Sequence, residues 1–86
     1  MLYRAMTEDI NPEAVLQIVN NYYEGFTTYK ATGFWQGIKE NSLIIEVVSE
    51  AKNELATFKK MAREIRDYNK QQAVLIETMA NHSELV

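Results

Sequence analysis

Cysteine is absent from these 86 residues, and proline and glycine are scarce, at one and three. Without thiols there is no disulfide framework, no thiolate metal site and no thiol redox couple. A small protein lacking disulfides fits a reducing compartment, so a cytoplasmic location is expected. The low Pro and Gly content argues against disorder and low complexity. No run approaches the ~20 apolar residues of a membrane span, and Met1-Leu2-Tyr3-Arg4 lacks the apolar stretch of a signal peptide, so neither insertion nor export is expected. Charge of one sign is also missing: nine Lys and Arg against twelve Asp and Glu leave a net −3. That balance supplies no general pull toward nucleic acid or anionic lipid. The single histidine, His82, lies in a polar stretch with no companion ligands or fixed acid nearby, which argues against metal ligation and general-base chemistry. No cofactor signature is present: the segment GFWQG around Gly33 and Gly37 lacks both the spacing and the strand-to-helix setting of a phosphate loop.

What is there describes a small folded unit. Hydrophobic residues make up 47% and charged residues 24%, a composition suited to one core. A chain this short buries only about 60–65% of its unfolded surface, so any further apolar burial matters. Leu2 to Thr7 alternates with period two and predicts a first strand. Asn11 as N-cap, Pro12 at the first helical position and Glu13 in the first turn predict a helix from about Pro12 to Glu24, with Gly25 as its stop. Phe26 to Gln36 is aromatic and β-branched, and Gly33 within it suggests a bulge or a close backbone approach. Gly37 to Asn41 reads as a turn and Ser42 to Val48 as the returning strand. Ser49 is placed to cap a second helix whose apolar stripe is Leu55, Phe58, Ala62 and Ile65, widened by Met61 and Tyr68, with Asn69 as its stop. Ala73 to Met79 is a last strand, giving one domain over 1–80 and a polar tail over 81–86.

The order β-α-β-β-α-β is that of an α+β ferredoxin-like plait. Right-handed crossovers place the first strand between the third and fourth, with both helices on one face of an antiparallel sheet. Alternation then sorts the strands. Tyr3, Ala5, Leu43, Ile45, Val47, Val74, Ile76 and Thr78 face the helices. Leu2, Arg4, Met6, Ile44, Glu46, Val48, Leu75, Glu77 and Met79 face away, and that second set is too apolar for a face left in water. It predicts an interface with another copy of the chain, a homodimer or higher. Arg4 is at its centre and the two neighbouring strands carry Glu46 and Glu77, so that, if the registers align, the guanidinium lies between two carboxylates. The structural reading, an ion cluster that fixes register, outweighs the reading of the two carboxylates as an acid–base pair.

Tyr29, Phe34, Trp35, Gln36 and Lys39 around the hairpin form the candidate site for a small ligand such as a metabolite or nucleotide, with Trp35 able to stack on a flat ring. The competing reading makes Trp35 a core cap or an oligomer contact. Lys59, Arg63, Arg66 and Lys70 recur at spacings of four, three and four and share a stripe, interrupted by Glu64 and Asp67, so a solvated helix face outweighs a nucleic-acid surface.

The run FTTYKATGFWQGIKENSLIIEVV, with Gly33, Trp35, Glu40 and Ser42, resembles a segment of small ferredoxin-like proteins of bacteria and their phages. At the level of fold the plait is similar to the ACT and PII-like regulatory domains, which oligomerise and bind metabolites or nucleotides between subunits. The apolar open face together with the aromatic and polar turn predicts a non-enzymatic, homo-oligomeric binding or regulatory protein, to which the resemblance adds only a likeness of fold. The alternatives are a phage-encoded module that inhibits a host protein, and a small acid–base enzyme using Glu46 and Glu77.

Overall fold

The computed structural model describes residues 1–80, 82 and 84–86. In chain order the elements are β1 (Leu2–Glu8), α1 (Pro12–Asn20), β2 (Thr27–Trp35), β3 (Ile38–Val48), α2 (Glu54–Tyr68) and β4 (Leu75–Met79). The strands form one four-stranded sheet in the order β2-β3-β1-β4, with antiparallel pairing throughout. Both helices pack on one face. Tyr3, Ala5, Leu43, Ile45 and Val47 of the sheet share a core with Val15 and Val19 of α1 and Phe58, Met61 and Ile65 of α2. Val74 and Ile76 are half-buried against the same core, whereas Thr78 is exposed because β4 is an edge strand. The tail expected over 81–86 includes residues 81 and 83, which lie outside the described residues.

Local boundaries depart from the sequence pattern where backbone conformation intervenes. Asn11 precedes α1 with φ 48°, in the left-handed region, and makes no side-chain cap. A capping side chain needs an extended backbone to reach the second or third N–H. Asn11 instead donates its amide to Asn69 Oδ1 at 3.0 Å, and Asn69 donates to the Ile10 carbonyl at 3.2 Å. That link ties the entry of α1 to the end of α2. The helix ends at Asn20, before Glu24, and its cap is Asn21 in a right-handed conformation, so Gly25 does not terminate it.

Ser49 does not cap α2. Its hydroxyl accepts from the Ala51 N–H at 3.1 Å, a local turn, and the helix begins at Glu54 after a left-handed Asn53. Along α2 the core side is Phe58, Met61, Ala62 and Ile65; Leu55 and Tyr68 are exposed. The two exposed members lie in the first and last turns of the helix, Leu55 one residue after its start at Glu54 and Tyr68 at its end. Asn69 ends α2 as expected, followed by Lys70 at φ 56°.

Gly33 forms neither a bulge nor a close approach. The β2–β3 register runs unbroken from Thr27↔Glu46 to Trp35↔Ile38, and nothing lies within 4 Å of where a Gly33 Cβ would stand. The turn is only Gln36-Gly37, both at positive φ (51° and 79°), which matches the twist of a two-residue hairpin loop. Strand β3 therefore starts at Ile38 rather than Ser42. Since β1 stops opposite Ser42, residues 32–35 and 38–41 form a two-stranded arm extending past the body of the sheet.

Candidate functional site

The face of the sheet turned away from the helices can be laid out from the registers. One row runs Thr27, Glu46, Arg4, Glu77 and the next Tyr29, Ile44, Met6, Leu75. In the first row Arg4 Nε donates to Glu46 Oε2 at 2.8 Å, and Arg4 Nη1 stands 4.0 Å from Glu77 Oε1. The arrangement is asymmetric: Glu46 is bonded and Glu77 is loosely held.

A third partner was not visible in the strand pattern. Tyr29 lies opposite Ile44, and its hydroxyl reaches diagonally along β3 to donate to Glu46 Oε2 at 2.8 Å. Such i, j±2 contacts lie within reach of aromatic side chains. They become predictable only when the two-residue turn is known, because the turn fixes the register. Ile44, the register partner of Tyr29, is 2% exposed. Ile44 therefore belongs to the packing beneath the face and is already out of solvent, which corrects its assignment as an interface contact.

The electrostatics follow from these bonds. The hydrogen bond from Tyr29, and then that from Arg4, hold the Glu46 carboxyl below its ordinary value. Reciprocally, the bond to Glu46 raises the Tyr29 phenol and the Arg4 guanidinium. A carboxylate stabilised in its ionised form is tuned away from proton transfer near neutrality.

Around this cluster the face remains apolar. Val48 and Leu75 are exposed, and Leu2, Met6 and Met79 are half-buried. On the same side of the arm, Trp35 and Ile38 pair across the strands and are each 66% exposed. Ile38 belongs with the face residues, a placement hidden while it was read as part of a turn.

The five residues expected to bind a small ligand do not converge. Tyr29 and Trp35 lie on the open side, Phe34 and Lys39 form a cross-strand pair on the other, and Gln36 occupies the turn. Phe34 is 72% exposed. One chain thus presents an aromatic tip without an enclosed site made by these five.

Clefts lie elsewhere among the described residues, and two of them hold charged side chains. Glu8, Asp9 and Glu40 contribute to one of about 330 Å³, in which Asp9 Oδ2 meets Lys30 Nζ at 3.3 Å. Among the described residues no group of three potential ligands is arranged to hold a metal ion. The other cleft, about 210 Å³, runs between α2 and β4, with Lys59, Arg63 and Arg66 on its helix side and Val74 and Ile76 on its sheet side. Lys70, expected to complete that basic stripe, stands beyond the end of α2 in a left-handed conformation.

Strand order, pairing and one-sided helices define an α+β protein of the ferredoxin-like plait. A solved structure described as a de novo designed protein, Foldit4, is similar to it: TM-score 0.53 and 15% identity over 94% of each chain. The likeness is one of fold. No family model and no curated protein matches the chain. No helix among the described residues is long and apolar enough to cross a membrane.

Proposed function

We propose that this is a non-enzymatic binding protein that acts as a homodimer, its two copies meeting through the open faces of their sheets. The observation that carries the reading is the apolar face formed by the exposed Val48 and Leu75 with the half-buried Leu2, Met6 and Met79, and continued along the arm by the exposed Trp35 and Ile38. Outside the arm, four strands of five to seven residues, ~4.8 Å apart with a ~3.4 Å rise, give a flat footprint of about 390 Å². The arm adds about 130 Å² by the same measure. Side-chain relief raises the accessible area above this flat footprint, toward the roughly 800 Å² per partner of a stable interface.

The charges support a second copy as the occupant. Arg4 and the loosely held Glu77 are complementary and sit near the middle of the face, so a two-fold axis there sets each Arg4 against the partner's unsatisfied carboxylate. The bonded Glu46 supports a structural role for the cluster over acid–base catalysis. A small ligand would then bind where the arm of one copy, carrying Phe34, Trp35, Gln36 and Lys39, closes on its partner.

Static light scattering at 5–50 µM is expected to give the mass of two chains. Met6→Glu with Leu75→Glu places two carboxylates in the apolar row that Met6 and Leu75 share on each copy and is expected to give one chain, with an unchanged far-ultraviolet circular dichroism spectrum. A wild-type mass of one chain throughout that range overturns the reading.

A further inference from the structure

The cleft between α2 and β4 is independent of the open face. Its helix side holds three cations: Arg66 Nε bonds Asp67 at 2.9 Å, whereas Lys59 and Arg63 have no carboxylate within 4.0 Å among the described residues. Its sheet side is apolar, with Val74 and Ile76 half-buried. A second, shallower depression along the same helix also uses Lys59 and Arg63, so the basic flank is continuous. Beside it β4 pairs only with β1. In an antiparallel ladder, alternate residues direct N–H and C=O toward one neighbour and the intervening ones toward the other side, so one edge of Leu75–Met79 offers unpaired backbone groups.

We propose that this edge and cleft together dock an extended acidic peptide, which adds to β4 as a fifth strand and turns every second side chain toward α2. Strand addition supplies main-chain hydrogen bonds and leaves specificity to the alternate side chains. Those on the helix side would meet apolar floor and cationic rim at once. The spacing fits: Lys59 and Arg63 are about 6 Å apart along the helix axis, and alternate residues of a strand are about 6.6–6.8 Å apart. Two carboxylates at i and i+2 therefore match two cations at i and i+4. A peptide is favoured over a free anion because the cations lie beside an open strand edge and above apolar side chains, neither of which an inorganic ion would use.

The test uses the full chain and an end-capped, fluorescein-labelled octapeptide of alternating Glu and Val, followed by anisotropy. The acidic peptide is expected to bind, and its Lys–Val counterpart to bind at least tenfold more weakly. Lys59→Glu with Arg63→Glu is expected to weaken the acidic peptide at least tenfold, with the circular dichroism spectrum unchanged. Two N-methylated versions, methylated at the Glu or at the Val nitrogens, separate strand addition from charge attraction. One is expected to lose binding at least tenfold and the other to retain it, because only one edge of the peptide faces β4. Equal binding by both versions and the parent, full displacement by millimolar phosphate with no N-methyl effect, or indifference to the charge reversals would each overturn the proposal.

Discussion

At the scale of single residues, Glu46 carries most of the electrostatic design of the open face. Two donors converge on one of its oxygens, Tyr29 Oη and Arg4 Nε, each at 2.8 Å. Because its folded pKa is depressed below the ordinary 4.5, the stability Glu46 contributes is present in full above that value and is lost as pH falls through the lower folded one. Tyr29 runs the other way. Its phenol is raised above 10.0, so its contribution is complete below pH 10 and is lost as pH rises through the folded value. In Tyr29→Phe the side-chain carboxyl of Glu46, followed by carbon-detected NMR, is expected to titrate at higher pH than in the wild type while staying below 4.5, since Arg4 remains. A titration unchanged from the wild type would show that Arg4 alone holds the carboxylate. The register that brings Tyr29 to Glu46 follows from the turn, and a turn read as Gly37 to Asn41 misplaces every cross-strand partner of β2. The alternation of β1, β3 and β4, by contrast, was enough to put Arg4, Glu46 and Glu77 on one face, and the registers then set Arg4 opposite both acids.

At the scale of elements, the helix ends show where sequence reasoning stops. The C-terminus of α2 closes with the Gln71 N–H on the Arg66 carbonyl at 2.9 Å and the Lys70 N–H on the Asp67 carbonyl at 3.3 Å, the two bonds of a Schellman motif. Its left-handed position is filled by Lys70 at φ 56°, where glycine is the usual occupant. Lys70→Gly relieves the Cβ conflict and is expected to stabilise the fold by about 0.5–1 kcal/mol after the added freedom of the unfolded chain is counted. Thermal denaturation should show a melting temperature several degrees higher. A fall in that temperature would mean that the Lys70 side chain has a compensating contact. Pro12 marked the start of α1 correctly because its restriction is intrinsic to the ring. Asn11 misled because it sits in a left-handed conformation and its side chain is spent on a long-range bond to Asn69 that no local pattern contains; Ser49 misled because α2 begins only after the left-handed Asn53. Thr7 is another such case: it is buried, and its hydroxyl donates to Gln71 Oε1 at 2.6 Å across the fold.

At the scale of the whole molecule, strand order and the division into covered and open faces were legible because both depend on order and period alone. Which open-face residues remain in contact with water was not. Ile44 is buried although it lies on that face, and Ile38 gained its place there from a strand four residues longer than its apolar run. The proposed dimer has a thermodynamic signature at this scale: unfolding coupled to dissociation makes the melting temperature rise with protein concentration. Between 2 and 200 µM the wild type is expected to show that rise, and Met6→Glu with Leu75→Glu to lose it. A constant melting temperature in both would leave the apolar face without a partner copy.

The position of β1 carries a kinetic consequence. It is flanked on one side by β3 and on the other by β4, so its five-residue ladder with Leu75–Met79 joins segments far apart along the chain. The β2–β3 hairpin can form from neighbouring residues, but β1 gains its second neighbour only when the last strand arrives. Such non-local pairing bears its loop-closure entropy before its contacts form, which slows folding relative to domains built from local contacts. Until β4 docks, β1 is itself an unprotected edge, and the folding intermediate most open to mispairing with another chain is the one that lacks only its final strand.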